Sequence, residues 1–99
     1  MLQLSFHTTI IEWRGPPPFA YAPLPPQQAA EVGRISKQAS YGWGVIPVEA
    51  EIQGVRFTTS LFPRDGTYLL PIKLAVRRTT GITFGDAVDV DMTVGSTKR

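Results

Sequence analysis

The stretch Gly81–Met92, GITFGDAVDVDM, decides the fold of this chain. Gly81 suits the left-handed position that ends a helix, because glycine has no Cβ to clash there. Phe84-Gly85-Asp86 then turns the chain, and from Val88 onward apolar and acidic residues alternate. A period of two is typical of a strand with one buried face. The stretch therefore predicts the end of a helix, a turn and a strand.

The residues around this stretch add detail to the predicted helix, turn and strand. LAVRRTT, just before Gly81, predicts a short helix near residues 73–80, with Ile82 folding back onto Val76. Asp86 is predicted to accept backbone N–H bonds within its own turn, which is a structural role. The strand that follows is predicted to bury Val88, Val90, Met92 and Val94 and to turn Asp89, Asp91 and Thr93 toward water.

Alternation marks further strands upstream. Residues 46–52 and 55–61 alternate apolar with polar, and Gln53-Gly54 between them predicts a hairpin over 45–62. Pro63-Arg64-Asp65-Gly66 has the composition of a β-turn that leads into a strand over 67–73. Residues 2–14 predict one strand with a bulge near Ile11, where the alternation breaks.

Proline and glycine residues indicate the turns and the element boundaries in the rest of the chain. Gly15–Pro18 predicts a turn, and Phe19, Tyr21 and Leu24 predict a short edge strand, since prolines cannot donate to a ladder. Pro25 and Pro26 can begin a helix, which is predicted near 27–39 with Val32 and Ile35 on one face. YGWG at 41–44 predicts a turn.

Composition limits the class of protein. Ninety-nine residues, 42% hydrophobic and 18% charged, predict one domain over 1–99, ordered over 1–95 with a frayed tail at 96–99. The lack of cysteine excludes disulfide scaffolds, zinc ribbons and thiol catalysis, and favours the cytoplasm. The sequence has no secretory signal pattern and no apolar run of about 18 residues, so no membrane association is expected. A net charge of +2 is small for a nucleic-acid binder.

The string EIQGVRFTTSLFPRDGTYLLPIKLAVRRTTGITFGDAVDVDMTV resembles an uncharacterised bacterial family, domain of unknown function 1905. The resemblance implies an all-β fold, a small closed six-stranded β-barrel with one or two short helices, and it implies no activity. The final segment alone is also similar to swapped-hairpin DNA-binding proteins of the antitoxin and transition-state regulator kind. In those proteins the Gly-Asp turn is structural.

The sequence predicts no catalytic residue, metal or cofactor. His7 is the only histidine, and without cysteine it has too few companions for a metal site. Ser60 lacks the context of a hydrolase nucleophile. Glu49 and Glu51 share a strand face but alternate with core residues, which favours a solvated surface over an acid–base pair.

Two groups of residues remain as candidates for ligand binding. A basic group could hold a phosphate or an acidic partner; alternatively, its members form salt bridges to Asp65, Asp86, Asp89 and Asp91. An aromatic group could stack on a base or sugar; alternatively, it packs as a lid on the core. The basic group is Arg56, Arg64, Lys73, Arg77 and Arg78, and the aromatic group is Trp13, Tyr21, Tyr41 and Trp43. The predicted ligand-binding residues are Arg56, Lys73, Arg77, Arg78, Tyr41 and Trp43.

Three functions follow in order of preference. The first is a monomeric, non-enzymatic binding or interaction module that presents a barrel mouth or basic face to a small ligand or protein partner. The second is a nucleic-acid-binding regulator, suggested by Arg77-Arg78 before the Gly-Asp turn and opposed by the small net charge. The third is an enzyme acting on a small anionic substrate.

Overall fold

The computed structural model describes residues 2–13, 19–39 and 46–95. It contains seven strands and two helices, and all of its strand pairs are antiparallel. The strands are β1 (Leu2–Thr9), β2 (Ile11–Trp13), β3 (Phe19–Pro23), β4 (Ile46–Ile52), β5 (Val55–Arg64), β6 (Thr67–Ile72) and β7 (Ala87–Val94). The helices are α1 (Pro26–Ala39) and α2 (Leu74–Thr80).

The seven strands form one curled sheet in the order β1-β7-β4-β5-β6-β3-β2. The all-β prediction is confirmed, but the closed six-stranded barrel is wrong: the sheet is a half-barrel with seven strands. Among the described residues β1 pairs only with β7, and β2 pairs only with β3. The two end strands therefore share no ladder, and closure is incomplete.

The extra strand arises at Ile10, where the single strand predicted over 2–14 divides into β1 and β2. The backbone of Ile10 pairs with the Gly85-Asp86 turn: its N–H donates to the carbonyl oxygen of Asp86 at 2.9 Å, and its own carbonyl oxygen accepts from the Gly85 N–H at 2.8 Å. Its side chain is buried. The broken alternation thus marks a change of partner strand.

The β4–β5 hairpin is confirmed where it was predicted. Ile46–Ile52 pair with Val55–Leu61, and the inward residues of β4 are all buried. Gln53 and Gly54 both have positive φ, at 52° and 79°. That combination defines the turn whose twist matches the flanking strands.

The second hairpin turn is tighter than predicted. β5 continues through Pro63 and Arg64, which pair with Tyr68 and Thr67. Only Asp65 and Gly66 form the turn, again with positive φ, at 51° and 81°. Asp-Gly is a favoured pair for such a turn, so the proline that suggested a four-residue turn instead lies within the strand.

β3 is not an edge strand, because it lies between β2 and β6. Ala20 and Ala22 are buried, and Phe19 and Tyr21 therefore lie on the outer face of the sheet. Leu24 is also buried but follows the strand, and its N–H donates to the carbonyl oxygen of Tyr68 at 3.0 Å.

Both predicted helices are confirmed. α1 buries Ala29 and Val32, and Ile35 is half-buried against the core. α2 buries Val76. No helix in the described ranges has both the length and the apolar character needed to cross a bilayer. One apolar core joins the sheet and both helices; its fully buried large side chains are Ile10, Val32, Ile46, Ile52, Leu61, Leu70, Val90 and Val94.

Candidate functional site

The site begins with the way α2 ends. Gly81 has a φ of 78°, and its N–H donates to the carbonyl oxygen of Arg77 at 2.8 Å, so it caps the helix as predicted. Ile82 and Val76 are both buried in the core, as expected for this cap. The chain after the cap therefore doubles back along the helix.

The doubled-back chain brings Phe84 beneath Arg77. The guanidinium carbon of Arg77 lies 4.7 Å from the centre of the Phe84 ring, within the range of a cation–π interaction. Phe84 in turn packs against the core, so the ring is a supported platform. The contact fixes the guanidinium group of Arg77 at the surface of the molecule.

The guanidinium group of Arg77 is incompletely satisfied. Its Nε is buried and has no hydrogen-bond partner. A buried donor without an acceptor costs about 1–3 kcal/mol. No carboxylate of the described chain reaches either this group or its neighbours Lys73 and Arg78.

We call Lys73, Arg77 and Arg78 the basic face of α2. Lys73 directly precedes the helix and lies one turn before Arg77, whose N–H donates to the Lys73 carbonyl oxygen at 3.1 Å. Side chains four residues apart share a helix face, and like charges there repel each other weakly. Arg77 and Arg78 are in the last turn, where cations favour the helix dipole.

Arg56 is placed elsewhere, among carboxylates on the outer face of the sheet. Its Nε lies 3.3 Å from an oxygen of Glu51, and its Nη1 lies 4.0 Å from one of Glu49. Both glutamates are partly exposed and solvated, as predicted, so these ion pairs contribute little to stability. Arg56 borders a shallow groove of about 290 Å³ together with Ser5, Glu49, Glu51 and Asp91, and no residue of the basic face of α2 borders it.

The alternative interpretation, in which the basic group forms salt bridges with nearby aspartates, holds for part of that group. Arg64 lies 3.8 Å from Asp65, its neighbour in the chain. Asp91 accepts a bond of 2.6 Å from the Ser5 hydroxyl, and Asp89 lies 2.8 Å from Nδ1 of the exposed His7. The four carboxylates Glu49, Glu51, Asp89 and Asp91 thus form an acidic sheet face.

Asp86 has the structural role predicted for it. Its Oδ2 accepts from the Thr83 N–H at 2.9 Å, and its own N–H donates to the Thr83 carbonyl oxygen at 3.1 Å. These contacts, together with the two backbone bonds between Ile10 and the Gly85-Asp86 turn, fix the loop that carries Phe84. In the described part of the chain, no group of three histidine, aspartate or glutamate side chains could hold a metal ion.

The aromatic group is only partly described. Tyr41, Trp43 and the YGWG turn lie outside the described residues, as do the Gly15–Pro18 turn and the tail at 96–99. Tyr21 lies on the outer face of β3, with its ring 5.3 Å from that of Phe62 in an edge-on contact. It therefore belongs to a surface separate from the core.

Sequence reasoning missed Phe84 as a site residue and assigned it only to a turn. The signal was present: a glycine cap that folds Ile82 onto Val76 also returns residue 84 toward residue 77. Arg77 and Phe84 are seven residues apart, and the helix and the cap bring them together.

The fold and these surfaces define a small antiparallel β half-barrel with a cationic helix on one side and an acidic sheet face. The chain belongs to the family described as Domain of unknown function (DUF1905), which it matches over residues 6–92. The resemblance seen in its sequence is thereby confirmed. No curated protein matches the chain.

Proposed function

We propose that this protein is a non-enzymatic binding module whose basic face on α2 binds an anionic group. One observation carries the proposal: Lys73, Arg77 and Arg78 lie within six residues and have no carboxylate partner in the described chain. Arg56 and Arg64, by contrast, are already beside acids. Three unpaired cations, of which Arg77 is half-buried, favour the binding of an anion from outside the protein.

The Phe84 platform supports a specific role for Arg77. A guanidinium group held over a ring loses less conformational freedom on binding than a mobile one, which improves affinity. A phosphate or carboxylate is the matching ligand, since both accept paired hydrogen bonds from arginine.

We propose that the protein acts as a monomer. We also propose that it acts in a reducing compartment such as the cytoplasm, in keeping with the lack of cysteine.

The test is an amide-resolved NMR titration with inorganic phosphate at low salt. We expect shifts at residues 73–81 and at Phe84, with an affinity near the millimolar range expected for a small ion. Arg77→Gln should weaken binding at least severalfold. Phe84→Leu, which retains apolar bulk without the ring, should weaken it less.

Arg34→Gln is the matched control. Arg34 is an exposed cation on α1 with no ion pair in the described chain, so the variant loses the same charge without touching α2. If Arg34→Gln weakens phosphate binding as much as Arg77→Gln, the attraction is only net charge and the proposed site is wrong.

A short DNA duplex in the same titration addresses the nucleic-acid-binding alternative. Affinity far above that for phosphate, with a steep loss as salt rises, would favour a regulator that contacts several phosphates. The acidic sheet face opposes this outcome, because it repels an extended polyanion.

A further inference from the structure

The outward side of α2 combines an apolar residue with the basic face. Leu74 begins the helix and is 55% exposed, whereas Val76, two residues later, is buried. Two residues correspond to about 200° around a helix, so Leu74 and Arg78 both lie opposite Val76 and away from the core. An exposed leucine and an exposed arginine therefore share the outward side of α2.

The cations of the basic face surround Leu74. Arg77 and Arg78 follow it by three and four residues, the spacings at which helix side chains are neighbours, and Lys73 precedes it directly. Lys73 and Arg78 are exposed, and Arg77 is held over the Phe84 ring. None of the three cations has a carboxylate partner in the described chain. An anion that binds here therefore has an apolar surface beside it.

The spacing between Leu74 and Arg78 selects the shape of a partner. Four residues of helix rise about 6 Å. In an extended chain, side chains two residues apart share a face and are about 6.6–6.8 Å apart along the strand. An extended segment that runs along α2 can therefore place an apolar side chain on Leu74 and a carboxylate beside Arg78 and Arg77. A partner helix fits less well, because it needs an apolar stripe and α2 exposes a single large apolar side chain.

We propose that the anion bound by the basic face is a carboxylate of an extended segment of another protein, two residues away from an apolar side chain. This inference rests on the proposed function, because it requires the basic face to bind an anion. The apolar side chain packs on Leu74, and the carboxylate accepts hydrogen bonds from Arg78 and Arg77. Lys73 adds attraction for a second acidic residue on the other side of the apolar one.

A protein segment fits the size of this surface better than a bilayer does. α2 has seven residues and spans about 10 Å, which matches three to four residues of extended chain. Stable attachment to a membrane takes a longer amphipathic helix or an acyl chain.

Three blocked seven-residue peptides with the same net charge test the proposal. The first has a central Leu, a Glu two residues away on either side, and Ser elsewhere. The second has the same composition, but both Glu residues are adjacent to Leu, which places them on the opposite face of an extended chain. The third is the first with Ser in place of Leu. In an amide-resolved NMR titration at low salt, we expect the first peptide to shift residues 73–81 and to bind about fivefold more tightly than either of the others.

The comparison of the peptides with inorganic phosphate separates this inference from the proposed function. Equal affinities of the first and second peptides, or of the first and third, would overturn the inference. If phosphate shifts residues 73–81 while the peptides show no preference, the anion site remains and only the protein segment is wrong. If neither phosphate nor any peptide shifts these residues, both proposals fail.

Variants assign the preference to Leu74. Leu74→Ser should remove the preference for the first peptide over the third, and retention of that preference would contradict the apolar contact. Phe19→Ser is the matched control, because Phe19 is 53% exposed on β3 and the variant should keep the preference. Cosedimentation with vesicles of phosphatidylserine and phosphatidylcholine gives the remaining outcome. Vesicle binding that Leu74→Ser abolishes, without any preference among the peptides, would replace the protein segment with a membrane surface.

Discussion

Gly81 is a single residue on which both the fold and the proposed anion site depend. Its φ of 78° is strained for any residue with a Cβ, although no neighbouring atom would meet that Cβ. We expect Gly81→Ala to lower the free energy of unfolding by about 1–2 kcal/mol, the penalty of the left-handed conformation. Urea unfolding followed by circular dichroism measures this change.

The same substitution at Gly33 is the matched control. Gly33 lies inside α1 without a positive φ and with open space around it. Alanine is the better helix former, so Gly33→Ala should raise the free energy of unfolding by up to about 1 kcal/mol. Two changes of the same sign would contradict the role given to backbone conformation at Gly81.

For single residues, the sequence predicts which cations belong to the site, but it does not predict which of them lie beside a carboxylate. Lys73, Arg77 and Arg78 are visible as a basic helix end, and Arg56 looks like a fourth member. Arg56 is separated from them because the β4–β5 register places it beside Glu51. Which cations remain unpaired depends on strand register, and residue type alone does not fix it.

For the strands, the residue types in the hairpin turns are the property that most affects stability. Gln53 occupies the first position of the β4–β5 turn at a φ of 52°, where asparagine is favoured. We expect Gln53→Asn to stabilise the protein by about 0.5 kcal/mol, at the lower end of compatible turn substitutions. Thermal unfolding measures this as a rise in Tm of about 2–4 °C.

Asp65 provides the comparison for that variant. It holds the equivalent position of the β5–β6 turn and already belongs to a favoured pair with Gly66. Asp65→Asn should therefore change Tm little. A larger gain from Asp65→Asn than from Gln53→Asn would show that conformational preference at these turns does not control stability.

Elements defined by local patterns were predictable, and those defined by distant partners were not. The β4–β5 hairpin and β7 follow from alternation and turn residues within a short span. The division at Ile10 depends on the Gly85-Asp86 turn at the other end of the chain, so the sequence near Ile10 shows only a disturbance. The interior position of β3 likewise depends on its ladder with β6.

For the molecule as a whole, stability rests on one shared core. Leu61 is fully buried at the point where β5 changes its partner from β4 to β6. Leu61→Ala should cost about 2–5 kcal/mol, a large share of the roughly 5–15 kcal/mol available to a domain of this size. Calorimetry should show a fall in Tm of about 10 °C or more.

Leu74→Ala is the control for that loss. Leu74 is 55% exposed on α2, and alanine is also a good helix former. The variant should change the free energy of unfolding by no more than about 0.5 kcal/mol. A comparable loss in both variants would mean that α2 depends on contacts of Leu74 that its exposure does not indicate.

The pairing of β1 with β7 has a consequence for the order in which the protein folds during synthesis. Among the strands of this sheet β1 is made first and β7 last, so the register from Leu2–Val94 to Thr9–Ala87 forms only after the other strands have been made. Until then β1 is an unpaired strand that other nascent chains can capture. The local β4–β5 hairpin is complete well before β7 emerges. β7 has eight residues and pairs with both β1 and β4, so its synthesis is the event that completes the native sheet.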